Sequence, residues 1–371
     1  MKWPRKRRPT VGVVVPAWGV ERWLPATLDS LLAQSHRAWR AVVVDDGSPD
    51  RSGEIAEAYA ARDPRITVLH TDNGGLGAAR NRGTAVVEGD YLAFVDSDDV
   101  LPPDSFATSV ATLEASGSDF LAACLLRVEA EPPAGRGVAV PPWMARMHSP
   151  ALTGARIEDR PEILGDVFAH NKMFRRSFWD REQLAWPEGV RYEDQPTTTR
   201  AFLAGRFDVT PQVVYHWQIR TDGTSITQQR SSLTDLADRW ATKRMALDSV
   251  TAHGDATVTR VFRTKVLPGD LWVYLHAVPD CSQEWWTVLR EGILEFWGPD
   301  GLRESILSPA MRLAAWLVTQ DRRSDAERFV TYVRSLDGRP VPRTPDGSAL
   351  DVPADVLPVG SVPPERLVLA G

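Results

Sequence analysis

Asp96-Ser97-Asp98-Asp99 sets three carboxylates within four residues, and no other stretch of the chain points so directly to chemistry. Carboxylates this close repel one another unless a cation or hydrogen-bond donors offset the charge. A hard divalent cation, Mn²⁺ or Mg²⁺, does so, and Mg²⁺ commonly takes one or two carboxylates together with phosphate oxygens. The motif reads as a site for a metal-bound diphosphate or, alternatively, as an acidic helix start, where Asp is favoured by capping and by the helix dipole. Asp45-Asp46-Gly47-Ser48 offers another carboxylate beside a glycine turn, suited to accept the imide N–H of a uracil ring. An Asx-type turn into the next helix is its alternative. Between the two motifs, Asn73-Gly74-Gly75-Leu76-Gly77-Ala78-Ala79-Arg80-Asn81 is glycine-rich and carries an arginine at a helix start. Such a loop can present amides and a paired charge to phosphate. Downstream, Glu193-Asp194 supplies a carboxylate of the kind that takes a proton from an attacking hydroxyl; its value comes from lying after the acidic motif.

The elements that must hold these groups alternate. Val11–Val15 is a continuous apolar run, as in a strand buried on both faces, and Pro16 is expected to end it. Glu21–Gln34 carries Leu24, Leu28, Leu31 and Leu32 at helical spacing. Ala41–Val44, Ile66–His70 and Tyr91–Val95 read as further strands, with helices over Ser52–Arg62 and Gly77–Val87. This rhythm predicts an α/β fold with a doubly wound, mostly parallel sheet. Ligands of such sheets collect at the carboxyl ends of strands, which is where the acidic and polar residues fall. Pro16-Ala17-Trp18-Gly19 follows the first strand in place of a Gly-x-Gly-x-x-Gly turn, which argues against a dinucleotide site.

Further along, Pro102–Asp119 reads as a helix, Phe120–Val128 as a strand, Ala130–Val140 as a loop and Val209–Trp217 as a strand. Ile163–Phe178 and Arg191–Leu203 read as mixed helical segments. From Leu233 the period is helical, through Leu233–His253, Ala256–Ala277, Gln283–Phe296, Arg303–Thr319 and Asp325–Leu336, which predicts an all-helical second domain. The expected divisions are a basic tail over 1–10, a catalytic domain over 11–230, the helical domain over 231–336 and a proline-rich segment over 337–371. Trp285 and Trp286 are adjacent and cannot face one core from a single helix side, so one is expected at the surface or at an oligomer contact.

Composition narrows the class. With 371 residues, 43% hydrophobic and 25% charged, the chain is an ordinary globular one of two or three domains. A net charge of −6 lacks the broad basic footprint of a nucleic-acid binder, so no nucleic-acid partner is expected. The 2 cysteines are too few for a disulfide framework and fit a reduced, cytoplasmic setting. No apolar stretch approaches the ~20 residues of a membrane helix, and the apolar run behind the basic start is too short for a signal peptide. Lys2, Arg5, Lys6, Arg7 and Arg8 are either a solvated tail or a peripheral contact with anionic headgroups at the inner membrane face.

Val43-Val44-Asp45-Asp46-Gly47-Ser48, then Asn73-x-Gly75 with Ala79-Arg80-Asn81-x-Gly83, then Phe94-Val95-Asp96-Ser97-Asp98-Asp99 resemble the motif succession of inverting family 2 glycosyltransferases of the GT-A fold. The resemblance runs over about 11–227. It implies a nucleotide-diphosphate sugar donor, with Pro16, Trp18 and Asp46 around the base and Asp96 facing the ribose. By the same resemblance Ala17, Asn73, Gly75, Arg80 and Ser97 complete the nucleotide-sugar site, and Asp98 binds the metal. It further implies Asp194 as the base, with Glu193 orienting base or acceptor or serving structure alone. In some members a histidine at a comparable distance completes the metal shell, which gives His216 a metal reading beside a structural or acceptor-side one. Arg220, in a segment that resembles a donor-covering loop, is either a surface arginine or a partner of the diphosphate. The family's usual Tyr and Asn are replaced by Trp18 and Gly19.

Within the family, Asn171-Lys172-Met173-Phe174-Arg175-Arg176, then Pro187-Glu188-Gly189 and the Glu-Asp pair, look most like bacterial enzymes of cell-surface polymers, including teichoic-acid N-acetylglucosaminyltransferases. A polymer or glycan acceptor and a UDP-linked donor are the implied partners. Lys172 is then either a contact steering an anionic polymer or a buried structural residue. A catalytically idle nucleotide-sugar-binding module is the competing function. The joint presence of Asp98, Glu193 and Asp194 argues against it, because an idle descendant has no chemical need of all three.

Overall fold

The computed structural model describes residues 8–129, 139–219 and 232–368. Contacts divide the chain into two units, Met1–Thr224 with Asp248–His253, and Ser225–Leu247 with Gly254–Gly371. In the first, β1 (Val11–Ala17), β2 (Trp39–Asp45), β3 (Ile66–His70), β4 (Tyr91–Phe94), β5 (Phe120–Glu129), β6 (Leu152–Ala155), β7 (Lys172–Arg175) and β8 (Phe207–Ile219) form one sheet. Its order is β3-β2-β1-β4-β7-β5-β8-β6. The β1–β2, β1–β4, β2–β3 and β5–β8 pairs are parallel; β7 runs antiparallel to β4 and β5, and β6 to β8. The helices α1 (Leu24–Leu32), α2 (Ser52–Ala60), α3 (Gly75–Val86) and α4 (Ser105–Ser116) alternate with the first strands, and α5 (Pro142–Met147), α6 (Arg176–Arg181) and α7 (Asp194–Ala204) follow. This is the mostly parallel α/β sheet that the apolar runs predict.

Two departures have local causes. β1 continues through Pro16 to Ala17, pairing Pro16 with Val44 and Ala17 with Asp45. Val14 O accepts from Val95 N on the β4 side, where the β1–β4 ladder ends at Val14. Pro16 shares that side, so its missing N–H falls beyond the ladder and breaks no pairing. The expected mixed helix over Ile163–Phe178 is instead a 3₁₀ turn at Pro161–Gly165, then β7, then α6. Four residues with a basic group at either end show no strand period, yet β7 is inserted centrally between β4 and β5.

The second unit is helical. It contains most of α8 (Leu233–His253), then α9 (Ala256–Val261), α10 (Leu271–Ala277), α11 (Gln283–Trp297), α12 (Pro309–Thr319), α13 (Arg323–Ser335) and the short α14 (Pro364–Leu367). The stretch Ala256–Ala277 is broken by a π turn at Phe262–Val266 and by Pro268. Trp285 and Trp286 are both buried, at 2% and 1% exposure, which corrects the expectation that one is exposed. Helix α11 is covered on two sides: Trp285 faces Tyr274 of α10, and Trp286 Nε1 donates to Asp321 Oδ1. No described helix is long and apolar enough to cross a membrane.

Candidate active site

The carboxyl ends of β1, β2 and β4 bring the acidic motifs to one edge of the sheet. Pro16 and Ala17 are buried within β1, and Trp18, just past its end, is 55% exposed. Asp45 ends β2, where its carboxylate accepts from Ser48 N at 3.1 Å and His70 Nδ1 at 2.9 Å. These donors outweigh burial and hold Asp45 below its ordinary range.

Asp46 turns the other way and builds the glycine loop. Its carboxylate accepts from Gly74 N at 3.0 Å, Gly75 N at 2.8 Å, Thr71 Oγ1 at 3.2 Å and Arg82 Nη1 at 3.2 Å. The amides read as a phosphate cradle are thus engaged by an internal carboxylate at the start of α3. Asn73 and Gly75 themselves stay exposed, with Gly75 at φ 82°.

The acidic turn after β4 is held by α1 and β8. Ser97 is buried, and the Thr27 hydroxyl of α1 donates to Ser97 O at 2.9 Å and Asp99 O at 2.7 Å. From β8, Tyr215 Oη accepts from Asp96 N at 3.0 Å and donates to Asp99 Oδ2 at 2.9 Å, while Gln218 N donates to Asp99 Oδ1 at 2.7 Å. His216 exchanges backbone hydrogen bonds with Val100 at 2.9 and 3.2 Å, which fixes this half-buried histidine beside the turn. Burial and the neighbouring charges of Asp98 and Asp96 push Asp99 well above the ordinary carboxylate range.

One group of ligand atoms converges among the described residues: those of Asp96, Asp99 and His170 lie within 4.8 Å of one another. His170 precedes β7 and stacks on Tyr215 at 4.3 Å. Its Nδ1 donates to Asp96 Oδ2 at 3.0 Å. Asp99, with both oxygens receiving internal donors, braces the turn; Asp98 stands half-buried on the same turn. An oxygen-rich set with imidazole nearby suits Mn²⁺ or Mg²⁺. The sequence motifs do not single out His170 and Tyr215; a histidine next to the Asn171-Lys172 pair is the signal available for the first.

Arg80 joins this turn to the Glu193–Asp194 pair. It is 1% exposed, and its guanidinium donates to Asp96 Oδ1 at 2.8 Å, Glu193 Oε1 at 2.6 Å and Asp194 Oδ1 at 2.5 Å. Trp186 lies 5.1 Å from it. The reading of Arg80 as a charge offered to phosphate is corrected accordingly: it faces three carboxylates inside the protein. Tyr192, at φ 63°, turns the chain sharply into α7. Glu193 is 4% exposed, and burial reinforced by Asp194 raises it to about 8, against the pull of Arg80. The Asp194 side chain is 19% exposed, and its Oδ2 also accepts from Ala169 N at 3.3 Å.

Of the two readings of Lys172, the buried structural one fits its position. It is 3% exposed, and its ammonium group donates to the carbonyls of Asp166 and Phe168, to Asn171 Oδ1 and to Asp166 Oδ1, all within 2.8–3.0 Å. It therefore stabilises the 166–171 segment and does not face a polymer. Arg220 lies outside the described residues.

Residues 12–181 match the Glycosyl transferase family 2 model. That match assigns residues 12–181 to a family 2 glycosyltransferase domain. Over 205 residues the chain is 35% identical to the uncharacterized glycosyltransferase EpsJ of Bacillus subtilis, covering 52% of this chain and 56% of EpsJ. It is 29% identical over 218 residues to the poly(ribitol-phosphate) beta-N-acetylglucosaminyltransferase TarS of Staphylococcus aureus, covering 57% of this chain and 36% of TarS. The chain thus spans about half, or less, of the length of these curated relatives. The crystal structure of S. aureus TarS 1–349 in complex with UDP-GlcNAc matches with a TM-score of 0.67 at 20% identity, over 92% of this chain and 96% of that one. The two share the GT-A sheet and its helical continuation. Glu193, Asp194 and His216 lie beyond the matched residues 12–181, and the fold brings them to the same edge of the sheet.

Proposed function

We propose that this chain is an inverting glycosyltransferase that transfers a sugar from a UDP-linked donor, with UDP-GlcNAc the first candidate, to a hydroxyl of a cell-envelope polymer or glycan. The observation that carries this reading is the partly open carboxylate of Asp194, tied through Arg80 to the acidic turn after β4. The donor choice rests on TarS, whose structure was solved with UDP-GlcNAc and whose name specifies a poly(ribitol phosphate) acceptor.

Trp18, exposed at the end of β1, gives the base a face to stack on, and Asp46 fixes the Gly74–Gly75 loop beside it. Asp98 is the ligand expected to hold Mn²⁺ or Mg²⁺, with His216 as a further candidate. Bound there, the cation supplies positive charge for the departing diphosphate. Asp194 accepts the proton of the acceptor hydroxyl as that oxygen attacks the anomeric carbon from the face opposite the diphosphate. A single displacement of this kind inverts the anomeric configuration. Glu193 is buried behind Asp194 and bonded to Arg80, so it supports the base and does not meet the acceptor.

The test is release of nucleoside diphosphate from a panel of UDP-, GDP-, CDP- and TDP-sugars in Mn²⁺, with Asp98→Ala beside the wild type. Release from a UDP-sugar, lost in Asp98→Ala, supports the reading. Release confined to another nucleotide, or unaffected by Asp98→Ala, overturns the donor or the metal assignment respectively.

A further inference from the structure

We infer that Arg80 is a positioning residue that sets Asp194 relative to the acidic turn, and that it makes no contact with the donor diphosphate. The inference deepens the proposed function and rests on Asp194 being the base. Its ground is connectivity. Arg80 comes from α3, Asp96 from the end of β4, and Glu193 and Asp194 from the start of α7. Three segments far apart in sequence therefore meet on one planar fork, with Nη2 on Asp96 and Nη1 on the Glu193–Asp194 pair. A guanidinium holds such partners at fixed angles, whereas an ammonium group acts as a point charge without that geometry.

The surroundings leave the guanidinium no route outward. Arg80 is 1% exposed with Trp186 at 5.1 Å, and α3 is itself clamped: Asn81 Nδ2 donates to Trp186 O and Glu188 Oε1, and Trp186 N donates back to Asn81 Oδ1. The Arg80 carbonyl also accepts from the Thr84 hydroxyl at 2.7 Å. Reaching a phosphate would require breaking the clamp and stripping Asp96, Glu193 and Asp194 of their shared donor. The glycine loop preceding α3 is closed in the same manner, its amides turned onto Asp46.

The experiment separates binding from chemistry. UDP with Mn²⁺ is titrated by calorimetry against wild type, Arg80→Met and Arg80→Lys, and steady-state transfer is measured on the same preparations. Arg80→Met is expected to keep its UDP Kd within about threefold while kcat falls at least about 100-fold, with Arg80→Lys recovering part of kcat at the same Kd. A UDP Kd weakened about 30-fold or more in Arg80→Met would place the guanidinium on the diphosphate and overturn the inference. Undiminished kcat would overturn it as well. If Arg80→Met fails to fold, Arg80→Met/Glu193→Gln removes one carboxylate with the cation, and its kcat is compared with that of Glu193→Gln. An added loss at constant Kd supports the inference, and equal kcat values overturn it. Wild-type transfer that persists undiminished in Asp194→Asn refutes the base assignment instead.

Discussion

Gly77, in the first turns of α3, faces the carbonyl of Pro187 so closely that a Cβ at position 77 would stand 2.0 Å from Pro187 O. The contact is with backbone, so no side-chain rotation relieves it. Together with the Asn81 hydrogen bonds to Trp186 and Glu188, it seats α3 on the 186–188 segment and thereby places Arg80. Gly77→Ala is therefore expected to destabilise the fold by about 1–3 kcal/mol, the range of overpacking substitutions. Chemical denaturation checks it; an unchanged midpoint would show that the two segments separate without penalty.

Lys172 is expected to matter for stability and not for polymer recognition. Removing it leaves Asp166, fully buried, with His148 and Asn171 as its remaining side-chain partners among the described residues. Breaking a buried pair by deleting one partner typically costs about 3–5 kcal/mol. Lys172→Met should lower the urea midpoint by the corresponding amount. A folded, stable variant that loses affinity for an anionic polymer would contradict the buried assignment.

Glu193 supplies a pH dependence with a definite sign. Its raised value, about 8 against 4.5, means that the folded chain keeps a proton that the unfolded chain releases. The stability it contributes is full below pH 4.5 and declines as pH rises toward 8. Glu193→Gln holds a neutral group throughout, so its Tm relative to wild type should rise steadily from pH 5 to pH 8.5. A constant difference across that window would mean that Glu193 is ionised throughout.

Trp18 is 55% exposed, so its replacement should touch binding and leave stability nearly unchanged. Stacking of a base on an aromatic ring is worth about 1–3 kcal/mol in nucleic-acid binders, which sets the scale for Trp18→Ala. UDP binding should weaken by about 5- to 150-fold, and Trp18→Tyr should restore most of it. Equal UDP affinity for all three proteins would remove the tryptophan from the base site.

The strands, the edge at which they end and the acidic motifs were legible in the sequence because each depends on a local pattern: an apolar run followed by Asp and Gly. What was not legible depends on partners distant in the chain. Arg80 reads as a phosphate group's partner until Asp96, Glu193 and Asp194 are seen around it, and Lys172 reads equally as a polymer contact or a buried residue until Asp166 is seen beside it. His170 carries no motif, and only the fold brings it, from the segment before β7, between Asp96 and Tyr215 of β8. The adjacent tryptophans of α11 misled for the same reason, since a helix covered on two sides obeys no single-face rule.

The most direct measurement pairs turnover with binding in Asp194→Asn. UDP affinity in Mn²⁺ should match wild type, because the carboxylate is assigned to the acceptor proton and not to the nucleotide. Sugar transfer should fall by about 10²–10⁴-fold, the usual contribution of a positioned acid–base group. Transfer at the wild-type rate in a protein that binds UDP normally would contradict the assignment of Asp194 as the base.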